Sequence, residues 1–241
     1  GKLTVGRLSG PSLLGGVTLH DVQIRDTANQ PFVQVDSARI VYRWRTLLKG
    51  QIQLQSAKLY HPRVVMQQLP GDTAWNYEFI FVDRTPGVSG KRRLIEINNV
   101  DIYDGFVTIR QPLDTDGKIT VKDTARSIIQ STPRGLVKVM HFDSINGRLN
   151  RVLWESPIEK GKLFDARRVT GLANVWKEPL RVSELQGRVL TRDSLISVDF
   201  APVRFGGSKA EIVGTVVKEE GRNKIDMQIQ GQPLQFKDLG W

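Results

Sequence analysis

The stretch that decides the fold is INNVDIYD at residues 97–104, which is followed by FVTI at residues 106–109. The same spacing of apolar residues recurs in LQSAKLYH at residues 54–61, which is followed by RVVM at 63–66. It recurs again in LHDVQIRD at residues 19–26. In each copy an apolar residue is followed three and five positions later by two further apolar residues. A short unit that recurs in this way predicts stacked copies of one strand–turn–strand element.

Regular alternation of apolar and polar residues surrounds these copies. It is clearest in QIQLQ at residues 51–55, ISVDF at 196–200 and KIDMQIQ at 224–230. Alternation directs successive side chains to opposite faces of a sheet, which is typical of a strand with one buried face. Turn-forming pairs such as Asp104-Gly105 and Gly206-Gly207 separate the runs at short spacing. The sequence therefore predicts an all-β protein, a curled antiparallel sheet with a few short helices.

No shift in composition divides the chain into domains. We therefore interpret residues 1–241 as a single elongated β domain. An alternative is that this domain consists of two lobes that meet near residues 123–135. The short helices are predicted within residues 44–49, 75–81 and 124–130.

The residues that usually carry chemistry are scarce. The chain has no cysteine and only three histidines, which lie in three different contexts without the spacing of metal ligands. None of the common nucleophile, phosphate-loop, dinucleotide or zinc-protease motifs is present. We therefore predict a protein that is not an enzyme and has no catalytic residue, no cofactor and no metal site.

The charge is distributed unevenly. The formal net charge is +10, from 35 Lys+Arg and 25 Asp+Glu, and residues 37–71 contain no acidic residue. A basic stretch of this kind can face the phosphates of a nucleic acid or of a membrane, or an acidic protein. The motifs of nucleic-acid-binding folds are absent, so we predict no nucleic-acid partner. The candidate membrane-facing or partner-facing residues are Arg39, Arg43, Trp44, Arg45, Lys49, Lys58 and Arg63.

The alternating strands also predict one apolar face. Repeated over many strands, such a face becomes either the lining of a continuous groove or an ordinary closed core. The candidate residues of that face are Ile52, Leu54, Ile95, Ile97, Ile196, Val198, Ile225, Met227 and Ile229.

Three stretches of the chain carry a resemblance to a known family. The first combines VGRLSG at residues 5–10 with LGGVTLHDVQIRD at 14–26. The second runs from VDSARI at 35–40 through LLKG at 47–50 and LYHPRV at 59–64 to WNY at 75–77. The third runs from GRV at 187–189 through VRFGGS at 203–208 and GTV at 214–216 to Pro233-Leu234. In this order they resemble the bacterial AsmA-like proteins and their TamB relatives, which belong to the β-groove lipid-transfer proteins.

The resemblance implies a periplasmic protein that is anchored at the bacterial inner membrane, with its transmembrane helix upstream of Gly1. It also implies a trough that holds acyl chains, and hence a role in lipid transport or envelope biogenesis with membrane phospholipid as the partner. The alternative is an accessory structural subunit that docks on the periplasmic face of a membrane protein complex and stabilises its assembly.

Overall fold

The structure is a computed structural model, and it is nearly all β. It describes residues 1–12, 16–26, 28–42, 52–79, 95–113, 128–156, 161–174, 179–192, 195–219, 222–235 and 238. Strands account for 82% of these residues and helix for 2%, which confirms the all-β prediction.

The described part contains fourteen strands, labelled β1–β14 in chain order, and one 3₁₀ turn at Asn76–Phe79. Their bounds are β1 Lys2–Thr4, β2 Arg7–Ser12, β3 Gly16–Arg25, β4 Pro31–Tyr42, β5 Ile52–Tyr60, β6 Arg63–Gln67, β7 Ile95–Pro112, β8 Ile129–Thr132, β9 Gly135–Ser156, β10 Gly161–Asn174, β11 Leu180–Arg192, β12 Leu195–Phe205, β13 Ser208–Glu219 and β14 Arg222–Gly231.

All fourteen strands belong to a single sheet. The main path is β1-β3-β4-β5-β7-β9-β10-β11-β12-β13-β14, while β2 pairs with β3, β6 with β4 and β7, and β8 with β9. Most pairs are antiparallel, but β5 and β6 both run parallel to β7. The sheet is therefore mixed rather than purely antiparallel, and this corrects one detail of the sequence-based prediction. An open sheet of this size curls rather than staying flat.

The parallel pairs explain the internal repeat. Within β5 and β7, Leu54 pairs in register with Ile97 and Leu59 pairs with Ile102, so two copies of the repeated unit lie side by side. The flanking stretches RVVM and FVTI also pair in register, as β6 and β7. β5 and β6 together follow the length of β7, and they are separated at His61-Pro62, where proline has no N–H to donate to a ladder. Two of the three copies thus form neighbouring strands that run in the same direction, whereas the copy at residues 19–26 pairs antiparallel with β1, β2 and β4.

Residues with left-handed backbone interrupt the long strands. Asp21, Asn99, Asp104, Ser144 and Arg168 all have φ between 50° and 62°. Such residues occur in β-bulges, which bend a strand and change which face the following side chains occupy. The register shifts in β7, β9 and β10 adjacent to several of these positions fit this interpretation.

The predicted helices have different outcomes. The 3₁₀ turn at Asn76–Phe79 lies within the predicted segment 75–81. The predicted helix at 124–130 is wrong at its C-terminal end, because Ile129 and Gln130 open strand β8 and pair with β9. The segment 44–49 lies outside the described residues. Among the described residues, no helix has the length and apolar character needed to cross a membrane.

Asn76 fixes the 3₁₀ turn to β6. Its Nδ2 donates to the Val65 carbonyl oxygen at 2.8 Å, and its Oδ1 accepts from the Gln67 amide at 3.0 Å. We expect Asn76→Ala to lower the free energy of unfolding by about 2 kcal/mol, because both partners lose their hydrogen bond. The urea unfolding midpoint measures this loss. The matched control is Asn98→Ala, since Asn98 is exposed and hydrogen-bonds to no described residue through its side chain. Equal losses of stability from the two substitutions would show that the hydrogen bonds of the Asn76 side chain do not stabilise the turn.

The interior of the sheet is small. One buried cluster consists of Val22, Val35 and Ala38, and the other of Val203, Phe205 and Ala210. All described strands belong to one sheet, and its main path ends at β1 and at β14 without pairing these two strands. The described part is therefore an open sheet with two edges.

Candidate functional site: the apolar face of the sheet

A row of small and apolar residues crosses the whole sheet from β14 to β3. Residues that are directly opposite in neighbouring strands share a face, so the pairing register defines the row. We call it the central row, and it consists of Ile229, Ile212, Phe200, Gly187, Ala166, Leu149, Val100, Ala57, Ile40 and Val17. Each neighbouring pair in this row is a register pair, and none of its side chains is charged. The face is therefore continuous across ten strands of the main path.

A second row runs beside the central row, two or three residues further along each strand. It is called the second row, and it consists of Met227, Gly214, Val198, Val189, Phe164, Val152, Ile97, Leu54 and Tyr42. A third, shorter set of register pairs lies beyond it and joins Ile52 to Ile95 and Trp154, and Ile225 to Val216 and Ile196. The three sets together are referred to below as the apolar face.

The candidate groove residues whose side chains the structure describes lie on this apolar face. Ile229 belongs to the central row, while Met227, Val198, Ile97 and Leu54 belong to the second. Ile52, Ile95, Ile196 and Ile225 belong to the third set, where Ile52 is placed by its backbone pairing with Ile95. The register thus brings together residues that are separated by up to 177 positions in the sequence, from 52 to 229.

The apolar face is incompletely covered. Every described strand belongs to the one sheet, so the described part contains no second sheet or helical layer to seal this face. At the β14 edge, Ile225 is 65% exposed, Ile229 47% and Met227 38%. Val198 and Ile97 in the middle of the sheet are half-buried. In the middle of the central row, by contrast, Ala57 and Val100 are each 3% exposed and Ala166 is 7% exposed. The exposed apolar surface therefore lies mainly toward the β14 edge, where it marks a place for something else to bind.

An aromatic cluster with one lysine lies at one end of the apolar face. The ring of Trp154 meets Phe164 edge-on at a centroid distance of 6.3 Å and Tyr77 edge-on at 5.9 Å. The Lys162 Nζ lies 4.5 Å from the Trp154 ring centroid and 4.9 Å from that of Tyr77. The 3₁₀ turn that carries Tyr77 therefore covers this end of the face. The ammonium group is held by the attraction of a cation to aromatic rings.

The opposite face of the sheet, called the polar face below, carries most of the charged side chains, although Leu153 on it is 1% exposed and pairs in register with Glu96 and Leu163. Among the described residues it holds the cross-strand ion pairs Arg148–Asp101 at 2.6 Å, Arg204–Glu184 at 2.9 Å, Arg151–Glu96 at 3.0 Å and Arg188–Asp199 at 3.5 Å. The pKa of Arg148 is raised above its ordinary value, mainly because Arg148 donates a hydrogen bond to Asp101 and also because the Asp101 carboxylate is negatively charged. Exposed pairs of this kind add about 1 kcal/mol or less each, so their main consequence is a hydrophilic outer surface.

The basic candidate residues that the structure describes lie on the polar face. Arg39 and Lys58 are cross-strand neighbours in β4 and β5, and Lys58 is next to Asp101 of β7. Arg63 pairs with Gln34 and Phe106 in register. All three basic side chains are exposed. Arg43, Trp44, Arg45 and Lys49 lie outside the described residues.

The sequence reasoning missed about half of the apolar face. Trp154 and Val152 belong to it, but Leu153 between them is also apolar, so alternation does not decide which of these residues lie on the apolar face. Phe164 is preceded by Leu163, so alternation alone does not decide which of the two faces inward. Phe200 and Ile212 also belong to the apolar face, and only their pairing in register identifies them.

The fold and its apolar face place the chain among all-β proteins that are built on one large mixed sheet. Comparison with protein-family models, with curated proteins and with solved structures gives no match.

Proposed function

We propose that this chain is a non-enzymatic lipid-handling module whose apolar face holds the acyl chains of a membrane lipid. The observation that carries the proposal is the continuity of the two rows, which extend across the sheet with no charged side chain. Burying apolar surface stabilises a complex by about 25 cal/mol per Å², so an acyl chain laid along such rows gains affinity at every strand it crosses. The polar face of the sheet stays in contact with water when the lipid is bound.

The lysine of the aromatic cluster supports a particular orientation of the lipid. A phosphate headgroup is an anion, and Lys162 provides a cation at one end of the apolar face. Lysine ammonium groups bind phosphate as point charges, and aromatic rings are suited to the boundary between apolar and wet surroundings. We expect the headgroup to lie beside Lys162 and the acyl chains to extend over the rows.

The resemblance to AsmA-like proteins supports a location and a role. In this proposal the chain works in the periplasm at the inner membrane, in lipid transport or envelope biogenesis. The exposed basic side chains Arg39, Lys58 and Arg63 lie on the other face, where they can contact anionic lipid headgroups or an acidic protein without blocking the apolar face.

Native mass spectrometry of the protein, purified from a bacterial periplasm without denaturant, tests the proposal. We expect the protein to carry phospholipid that is released by organic solvent, at a ratio of about one lipid per chain or more. Lipid-free protein that takes up no phospholipid from anionic vesicles would contradict it.

The same preparation tests the alternative, an accessory subunit of a membrane protein complex. The exposed apolar edge at Ile225, Met227 and Ile229 favours this alternative, because sheet edges and apolar patches also recruit protein partners. Stable recovery with other membrane subunits, together with an absence of lipid, would replace the first proposal with the second.

A further inference from the structure

A cavity lined mostly by polar residues, called the polar cavity below, lies at the C-terminal ends of β6 and β7. Its volume is about 720 Å³, and its walls include Asp26, Gln67, Arg110, Gln130 and Arg134. Sites for small molecules occupy roughly 300–1,000 Å³, so the cavity has the size of a ligand site. None of its lining residues belongs to the rows of the apolar face, and the inference therefore goes beyond the proposed function.

The walls of the cavity are held in place by hydrogen bonds. Asp26 is 7% exposed, and its Oδ1 accepts from the amides of Ala28 at 2.9 Å and Gln30 at 2.8 Å. The Arg134 guanidinium pairs with Asp72 at 2.6 Å, which ties the loop after β6 to the turn between β8 and β9. The loops around the cavity are therefore preorganised, which lowers the entropy lost when a ligand binds.

The guanidinium of Arg110 has few hydrogen-bond partners in the wall of the cavity. Its Nε is buried without a hydrogen-bond partner, and its one hydrogen bond to a described side chain runs from Nη1 to Gln67 Oε1 at 3.4 Å. It forms no ion pair with any described residue. A guanidinium has five N–H donors, and leaving a buried polar group unpaired destabilises a fold. At the wall of a cavity, a donor without a protein partner can be satisfied by an oxyanion that enters the cavity.

The remaining lining defines the ligand chemistry. Gln30, Gln67 and Gln130 supply amides, and Thr73 and Ser131 supply hydroxyls, all of which exchange hydrogen bonds with sugar or polyol hydroxyl groups. Asp72 balances Arg134, so Arg110 is the cation in the wall that lacks a carboxylate partner among the described residues. We propose that the cavity binds a small hydroxylated oxyanion, with its phosphate or carboxylate at Arg110 and its hydroxyl groups at the surrounding amides.

Titration of the whole chain with defined probes tests this site. The anionic probes are glycerol 3-phosphate and D-glucuronate, and the neutral controls are glycerol and D-glucose. We expect saturable binding of at least one anionic probe and a much weaker response to its neutral control, measured by calorimetry or by NMR. A further probe, dihexanoyl phosphatidylglycerol below its micelle concentration, shows whether the natural oxyanion is a lipid headgroup or a free solute. Tighter binding of this lipid than of glycerol 3-phosphate indicates a lipid headgroup, and weaker binding indicates a free solute.

Arg110→Met separates binding from structure. We expect this substitution to weaken binding of the anionic probe by about 10- to 100-fold, because a charge-assisted hydrogen bond is lost. The thermal midpoint of the ligand-free protein should rise by about 2–4 °C, since an unpaired buried group is removed. Arg110→Lys should keep part of the affinity. The matched control, Arg148→Met on the polar face, should leave binding unchanged.

Three results would overturn the proposal. The first is an absence of saturable binding of every anionic probe to the wild-type protein at millimolar concentration. The second is a neutral control that binds as tightly as its anion. The third is an Arg110→Met variant that binds normally, unfolds at a lower temperature than wild type, or fails to fold.

Discussion

Replacing Gly187 with alanine is expected to lower the free energy of unfolding by about 4 kcal/mol, combining backbone strain with a steric clash. Gly187 lies in the central row between Phe200 of β12 and Ala166 of β10. Its φ is +136°, a conformation that residues with a side chain rarely adopt. A Cβ atom there would lie 2.1 Å from the Asp199 carbonyl oxygen and 2.6 Å from the Phe200 Cα. Because both are backbone atoms, relief requires β11 and β12 to separate.

The control for this substitution is Gly71→Ala. Gly71 also has a positive φ, +84°, but a Cβ atom added there would have the Arg134 Nη2 as its nearest neighbour, at 3.6 Å. We therefore expect Gly71→Ala to lower the free energy of unfolding by only about 1 kcal/mol, from the backbone alone. Urea unfolding of both variants measures the difference. Similar losses would show that close packing of β11 against β12 does not require glycine.

The strands could be predicted from the sequence because alternation is a local signal. Residues 196–200 and 224–230 alternate without interruption, and both form strands whose apolar members lie on one face. The internal repeat corresponds to one pair of neighbouring strands, since residues 54–61 lie beside residues 97–104, but the copy at residues 19–26 lies beside neither of them. The parallel direction of that pair was not predictable, because it depends on how the chain returns between β6 and β7.

Left-handed residues within the strands explain why the apolar face was only partly predicted. In β7, strict alternation from Ile97 would direct Val100 to the polar face, yet Val100 is 3% exposed and pairs with Ala57 and Leu149 of the central row. The left-handed backbone of Asn99, with φ of 56°, provides the change of face. Asparagine tolerates this conformation better than most residues, but nothing local in the sequence requires it. The face of the residues that follow a left-handed position can therefore be assigned only from the structure.

The polar cavity could not be anticipated from motifs. Asp26, Gln67 and Arg110 come from three different strands or turns, and no short spacing relates them. Their proximity follows from the pairing of β6 with β7 and from the turn between β3 and β4.

Replacing Val198 with glutamate is expected to reduce bound phospholipid by about tenfold or more, because a carboxylate facing an acyl chain loses its hydration. Val198 lies in the second row between Val189 and Gly214. The side chain is half-buried rather than sealed, so a glutamate stays hydrated while the face is empty and the protein folds. The effect should therefore appear in the lipid-to-protein ratio measured by mass spectrometry, with a loss of stability of only about 1–2 kcal/mol.

The matched control makes the same substitution on the opposite face. Val213 is 50% exposed and lies in register with Asp199 and Gln228, on the polar side of the sheet. Val213→Glu adds the same charge to the neighbouring strand but leaves the apolar face unchanged, so bound lipid should stay at the wild-type level. Equal losses in both variants would point to repulsion from anionic membranes instead. A folded Val198→Glu variant with its full complement of lipid would place the binding site elsewhere, because an acyl chain crossing the second row cannot avoid β12.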